Sequence, residues 1–239
     1  MSESALGETL AGHIKDLDVA GESNAAVGGA TLAFLASGIE GIKVRVTVRA
    51  DDDGSAAALL DAEEAEIRSI LAEAAGDVVF GIDDEAIEDA VARVLVPQGL
   101  TLGLAESLTG GLAASRLVNV PGASHWFRGS VVSYASEVKF DVLGVRPGPV
   151  VSEEAARSMA DGARRVLGAD VGLSITGVAG PEPQDDQPRG TVFVGLSRDG
   201  HPTEAFALTV PGDRQRVRQY ATIGALDLLR KKLAVLAVP

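Results

Sequence analysis

Apolar and polar positions change their period several times along the chain, and each change marks an element. Leu6, Leu10 and Ile14 recur every four residues, which predicts a helix over residues 1–20. Residues 21–30, rich in Gly, Ala, Ser and Asn, read as a loop. Thr31–Ala36 reads as a strand. Ile42-Lys43-Val44-Arg45-Val46-Thr47-Val48-Arg49 alternates strictly, the pattern of a half-buried antiparallel strand with one wet face. Asp51-Asp52-Asp53-Gly54 predicts a turn, Ser55 to about Ala75 a helix with an acidic solvated face, and Val78-Val79-Phe80 one more short strand. Together these predict a small α+β domain over residues 1–80.

From Gly81 the pattern changes to alternating helices and strands. Asp83-Asp84-Glu85 opens a helix carrying Ile87, Val91, Val94 and Leu95, stopped by Pro97-Gln98-Gly99. Strands are expected at Leu100–Leu104, Ser130–Tyr134, Val171–Thr176, Thr191–Leu196 and Ala205–Val210. Helical segments are expected at Leu112–Val118, Glu137–Leu143, Ser152–Leu167 and from Gly212-Asp213 to about Leu236, with residues 182–189 polar and exposed. The alternation predicts a three-layer α/β/α domain over residues 81–239, built on a mixed, largely parallel sheet. Ligands of such sheets lie beyond the carboxyl ends of the strands, and Ser107, Tyr134 and Thr176 each fall at a predicted strand end.

Composition narrows the function classes. The hydrophobic fraction of 46% supports a full core in 239 residues. The absence of cysteine excludes disulfides, thiolate catalysis and cysteine-ligated metal. His13, His125 and His201 stand in no metal-binding motif, so no metal and no cofactor is expected. The amino terminus lacks the pattern of a signal peptide, and the longest uncharged run, Ser23–Ile39, is too short and polar to span a bilayer. A soluble cytoplasmic protein without membrane partners is the expectation. The net charge of −13 is uneven: residues 1–96 hold 20 acidic and 6 basic side chains, residues 97–239 hold 14 and 15. Phosphate repulsion argues against nucleic-acid binding by the first part, while the neutral second part has room for a local cationic pocket.

The stretch Ala105-Glu106-Ser107-Leu108-Thr109-Gly110-Gly111 reads as a strand end, a tight glycine turn and a helix start. Unpaired N–H groups at such a junction favour an anion or an oxygen becoming one. Ser107 stands there. The plain alternative is that Ser107 or Thr109 caps the helix. No Walker loop, no GxGxxG fingerprint and no evident Ser-His-Asp set is present. The second part has few lysines: Lys139, Lys231 and Lys232. A serine paired with a lysine can break an amide, provided burial or a neighbouring cation brings the amine below its usual value of about 10.4. The plain alternative for Lys139 is an exposed helical turn.

Residues from about Asp83 to Leu233 resemble the nicotinamide mononucleotide deamidase family, the C-terminal domain of the competence/damage-inducible protein A family. The matching pieces are Asp83-Asp84-Glu85, the stretch from Ala105 to Gly111, Val120-Pro121-Gly122-Ala123-Ser124, Tyr134 with Lys139, and Gly144-Val145. Thr176-Gly177-Val178-Ala179-Gly180-Pro181, Gly190-Thr191-Val192 and Gly212-Asp213-Arg214 complete the series. Residues 1–80 are similar to the small middle domain of longer members, whose first domain is not found in this sequence. The resemblance implies hydrolysis of the carboxamide of nicotinamide mononucleotide to nicotinic acid mononucleotide and ammonia, by a homodimer. By the same analogy Ser107 is the nucleophile, Lys139 its base, Tyr134 positions or polarises the pair, and Thr176 and Arg214 contact the substrate. The N–H groups of Thr109 and Gly110 are then placed to hold the tetrahedral oxyanion, and Arg214 meets the phosphate, with Arg218 one turn on as its competitor. The chain departs from the family in Leu108, where Cys is usual, in Ala135-Ser136, where Ser-Asn is usual, and after Gly180, where a glycine-rich loop is usual. A nucleotide- or protein-binding module on the same fold is the alternative reading.

Overall fold

The computed structural model describes residues 3–23, 29–36 and 38–235. The chain divides into two compact units, Met1–Phe80 and Gly81–Pro239. The first contains α1 (Glu3–Ser23), β1 (Ala30–Ala36), β2 (Ile42–Val48) and α2 (Asp53–Ala75). β1 and β2 pair antiparallel from Ala30↔Val48 to Ala36↔Ile42. The period-2 pattern places Leu32, Phe34, Val44 and Val46 against Leu6, Leu10, Ile67 and Leu71 of the two helices, and leaves Lys43, Arg45 and Thr47 exposed. Asp52 caps α2, accepting the Ser55 N–H at 2.8 Å, and these local hydrogen bonds hold its carboxyl below the usual range.

Two expectations for this unit change. Val78–Phe80 forms no strand: Val78 and Val79 pack under the same cluster, and the Val78 N–H turns back onto Gly76 O at 2.8 Å. A short apolar run satisfies its side chains there without a ladder. The expected loop at 21–30 begins inside α1, and residues 24–28 lie outside the described residues.

In the second unit α3 (Ile87–Leu95) is followed by β3 (Leu102–Glu106), α4 (Leu112–Leu117), β4 (Phe127–Val132), α5 (Ser136–Asp141) and α6 (Glu153–Leu167). β5 (Val171–Gly177), β6 (Thr191–Arg198), β7 (Glu204–Thr209) and α7 (Arg214–Val235) complete it. The acidic trio 83–85 stands just outside α3. Glu85 accepts the Ile82 N–H at 3.0 Å and Asp89 accepts the Ala86 N–H at 2.8 Å. The five strands lie in the order β4-β3-β5-β6-β7. β3 pairs parallel with β4 and β5, whereas β5–β6 and β6–β7 are antiparallel. The sheet is therefore mixed, with parallel pairing confined to the half that carries Ser107, Tyr134 and Thr176. β6 and β7 pair antiparallel because a short turn at Asp199-Gly200 joins those strands directly.

Side-chain size separates the two faces. Gly103, Gly172, Ser174 and Gly195 face α6, whose backbone approaches so closely that a Cβ on Gly172 would lie 2.1 Å from Ala160 O. The alternate positions Leu102, Leu104, Leu173 and Ile175 are buried on the opposite face, the side of α7. α6 starts at Ser152, which accepts the Ala155 N–H at 3.1 Å.

Candidate active site

Because β3, β4 and β5 run parallel, their carboxyl ends share one edge of the sheet. Ser107 follows the last residue of β3, Tyr134 stands two residues beyond β4, and Thr176 is the penultimate residue of β5. The carboxyl ends of parallel strands are where open α/β sheets place their ligands.

The turn after β3 is built by Glu106, a residue the sequence reading passed over. Its side chain is fully buried, and Oε2 accepts the N–H groups of Gly111 at 3.0 Å and Ala113 at 3.1 Å. Oε1 accepts the Ala114 N–H and the Ser130 hydroxyl, both at 3.0 Å. The start of α4 is thus capped by a carboxylate from the strand before it, and neither Ser107 nor Thr109 serves as the cap. The signal was present in sequence: continuing the apolar alternation Leu102, Leu104 points Glu106 to the same buried face. Thr109 is buried and its hydroxyl has no hydrogen-bond partner. Gly110 and Gly111 take φ values of 60° and 92°, the left-handed region that lets the chain reverse into α4.

The donors of this turn differ from those expected. The Gly110 N–H donates to Ser107 O at 3.1 Å, so it closes the turn. The N–H groups of Leu108 and Thr109 make no hydrogen bond among the described residues. Leu108 therefore replaces Gly110 beside Thr109 as an available donor.

Lys139 lies on α5 and is only 2% exposed, which overturns the plain reading of a surface lysine. Its amine donates to Ser133 O at 2.7 Å and Tyr134 O at 3.4 Å. Ser133 in turn donates its N–H to Glu106 O at 2.8 Å, so the amine is held one strand away from the residue preceding Ser107. Burial holds the Lys139 amine below its ordinary value, while the carboxylates of Asp185 and Glu137 oppose that shift. No hydrogen bond joins Ser107 Oγ to Lys139 Nζ.

The remaining side chains frame this centre. Tyr134 is 59% exposed, and its hydroxyl accepts from Arg214 at 2.5 Å, while the other terminal nitrogen of Arg214 donates to Gly180 O at 2.7 Å. Arg214 thus links the ends of β4 and β5. Arg218 donates from Nε to Leu108 O at 2.9 Å and from a terminal nitrogen to Thr109 O at 2.8 Å. Both guanidinium groups rest on neutral acceptors, so their charge stays available to an anion. The Thr176 hydroxyl donates to Val150 O at 2.8 Å, and Asp185 accepts the N–H groups of Val150 and Val151 at 2.7 and 2.9 Å. Asp185, in a segment whose sequence predicts only an exposed polar loop, ties that loop to the segment before α6. Among the described residues no cluster of His, Asp and Glu is arranged to hold a metal ion, and no helix is long and apolar enough to cross a membrane.

Comparisons with known proteins place the fold and these motifs together. The family described as the CinA C-terminal domain matches residues 84–233. A CinA-like protein of Frankia casuarinae is 46% identical over 240 residues, covering 98% of this chain and 52% of its own length. One from Dictyoglomus turgidum is 41% identical over 196 residues, covering 80% of this chain and 46% of its own. The chain spans about half the length of these curated relatives. Among solved structures, a CinA superfamily protein of Klebsiella pneumoniae superposes with a TM-score of 0.60 at 34% identity, covering 62% of this chain and 96% of that one. One from Escherichia coli gives a TM-score of 0.59 at 31% identity, covering 63% and 94%. With a five-stranded mixed sheet, flanking helices and a family match running through the Ser107 turn, Lys139 and Arg214, this chain belongs to the CinA C-terminal domain family.

Proposed function

We propose that the second unit hydrolyses the carboxamide of nicotinamide mononucleotide, giving nicotinic acid mononucleotide and ammonia. The observation that carries this reading is the burial of Lys139, with its amine drawn below the ordinary range at the strand end neighbouring Ser107. A buried amine that loses its proton easily is the base a serine hydroxyl needs.

In this mechanism Ser107 Oγ attacks the amide carbon and its proton passes to Lys139 Nζ. The carbonyl oxygen becomes an oxyanion and accepts hydrogen bonds from the Leu108 and Thr109 N–H groups. Lys139 returns the proton to the departing nitrogen, ammonia leaves, and an acyl ester remains on Ser107. Water then attacks that ester with Lys139 again as base, releasing the carboxylate. Arg214 supplies charge for the substrate phosphate and, through the Tyr134 hydroxyl, sets one wall of the site. The missing Ser107–Lys139 hydrogen bond fits a site whose catalytic contacts tighten only around substrate. The same observation favours the rival reading, a module that binds the nucleotide without turnover.

Ammonia release from nicotinamide mononucleotide separates the two. The wild-type protein is expected to turn over steadily, with Ser107→Ala and Lys139→Met each reduced by at least about 10²–10⁴-fold. Binding without ammonia release by the wild type, or equal rates for Lys139→Met, refutes the amidase.

A further inference from the structure

Arg218 reaches from α7 across 110 residues of sequence to the turn that carries Ser107, and it does so with two bonds to successive carbonyls, Leu108 O and Thr109 O. Its place on α7 is set by its neighbours. Val217, Ala221 and Thr222 are buried, and the Thr222 hydroxyl donates to Arg218 O at 2.9 Å. Among the described residues no carboxylate pairs with the guanidinium, whose hydrogen bonds go to these two peptide oxygens.

A trans peptide fixes the consequence. Its C=O and N–H point in opposite directions, so a Leu108 carbonyl held by Arg218 sends the Thr109 N–H away from Arg218. A cation on the carbonyl also polarises the peptide and strengthens its N–H as a donor. Glu106 works on the same turn through the opposite kind of group. It takes the N–H groups of Gly111, Ala113 and Ala114, and the Gly110 N–H is taken by Ser107 O. Among the described residues the backbone N–H groups of the turn left open are those of Leu108 and Thr109.

We propose that Arg218 is a positioning residue: it orients and polarises the Leu108–Thr109 peptide so that the Thr109 N–H meets the oxygen that gains charge during attack by Ser107, without itself touching the substrate. This rests on the amidase reading and assigns Arg218 a task other than phosphate binding. A residue that acts only on the tetrahedral stage lowers kcat and leaves ground-state binding alone.

The test compares the full chain with Arg218→Met and Arg218→Lys. Loss of one aligned donor is expected to lower kcat by about 10²-fold, with KM for nicotinamide mononucleotide within about threefold of wild type. Lysine keeps the charge but cannot span two carbonyls, so Arg218→Lys recovers only part of the rate. A substrate analogue bearing an aldehyde in place of the carboxamide, which forms a tetrahedral adduct with Ser107, is expected to bind more weakly to Arg218→Met by the same factor as kcat/KM. Affinity for the product nicotinic acid mononucleotide stays unchanged. Emission from the buried Trp126 shows that each variant is folded, and Arg218→Lys carries the test if Arg218→Met is not. A raised KM with unchanged kcat, or wild-type rates in a folded variant, overturns the role of Arg218 alone. A wild-type protein that releases no ammonia overturns the amidase reading and this inference with it.

Discussion

Replacing Glu106 by glutamine tests the construction of the Ser107 turn most directly. The carboxylate accepts four hydrogen bonds while fully buried. A glutamine oxygen in the Oε2 position keeps Gly111 and Ala113. Its NH₂ group then faces the Ala114 N–H, donor against donor, although Ser130 can turn to accept. One bond to an ionised acceptor is lost, worth about 1.5–3 kcal/mol. The negative charge at the start of α4 is lost as well, worth about 0.3–2 kcal/mol. The expected cost is about 2–5 kcal/mol, a large part of a total stability of about 5–15 kcal/mol. Trp126, the single tryptophan, is 4% exposed in the second unit, so its emission follows that unit's unfolding. With a urea m-value of about 2 kcal/mol per molar, the midpoint is expected to fall by about 1–2.5 M at constant m. Thr109→Val provides the contrast. It removes a buried hydroxyl that has no partner and is expected to leave the midpoint unchanged or raise it, by up to about 1 kcal/mol of stability. A Glu106→Gln midpoint equal to wild type, or a large loss from Thr109→Val, refutes the assignment of the cap.

Lys139→Met is expected to show a pH-dependent stability difference. Burial lowers the Lys139 pKa in the fold, so between that value and the ordinary value of about 10.4 the unfolded chain binds more protons and wild-type stability rises with pH. The Tm of Lys139→Met minus that of wild type therefore decreases through this window; a difference that does not vary with pH refutes the buried amine. For the same reason kcat/KM of the wild type should rise with pH and level off below about 10.4. Gly172→Ala places a methyl 2.1 Å from the backbone oxygen of Ala160, which cannot rotate aside, so α6 must lift from the sheet. A cost of about 1–3 kcal/mol and a Tm lower by roughly 3–10 °C are expected, and an unchanged Tm would show that the layers are not packed this tightly.

Much of this molecule was legible before its structure. Alternation marked β2 and the clustered apolar runs marked the five strands of the second unit, because burial on one face or two imposes its own period on the sequence. Ser107 and Lys139 could be singled out from the turn chemistry and the scarcity of lysine. The sequence could not say what those side chains would touch. Val78–Phe80 has the composition of a strand, but Val78 and Val79 pack against the helix–sheet cluster without joining the β1–β2 ladder, an outcome of the assembled unit. The parallel or antiparallel sense of β5–β6 depended on which strands became neighbours. Lys139 became buried only because α5 folds its amine onto Ser133 O, and burial is what alters its proton affinity. Arg218 and the turn it holds are 110 residues apart, and no local pattern records that contact. Local sequence determines backbone preference and which face is apolar, since both act within a few residues. Donor orientation at the Leu108–Thr109 peptide and the burial that lowers the basicity of the Lys139 amine arise from packing between elements far apart in the chain, and only the tertiary structure decided them.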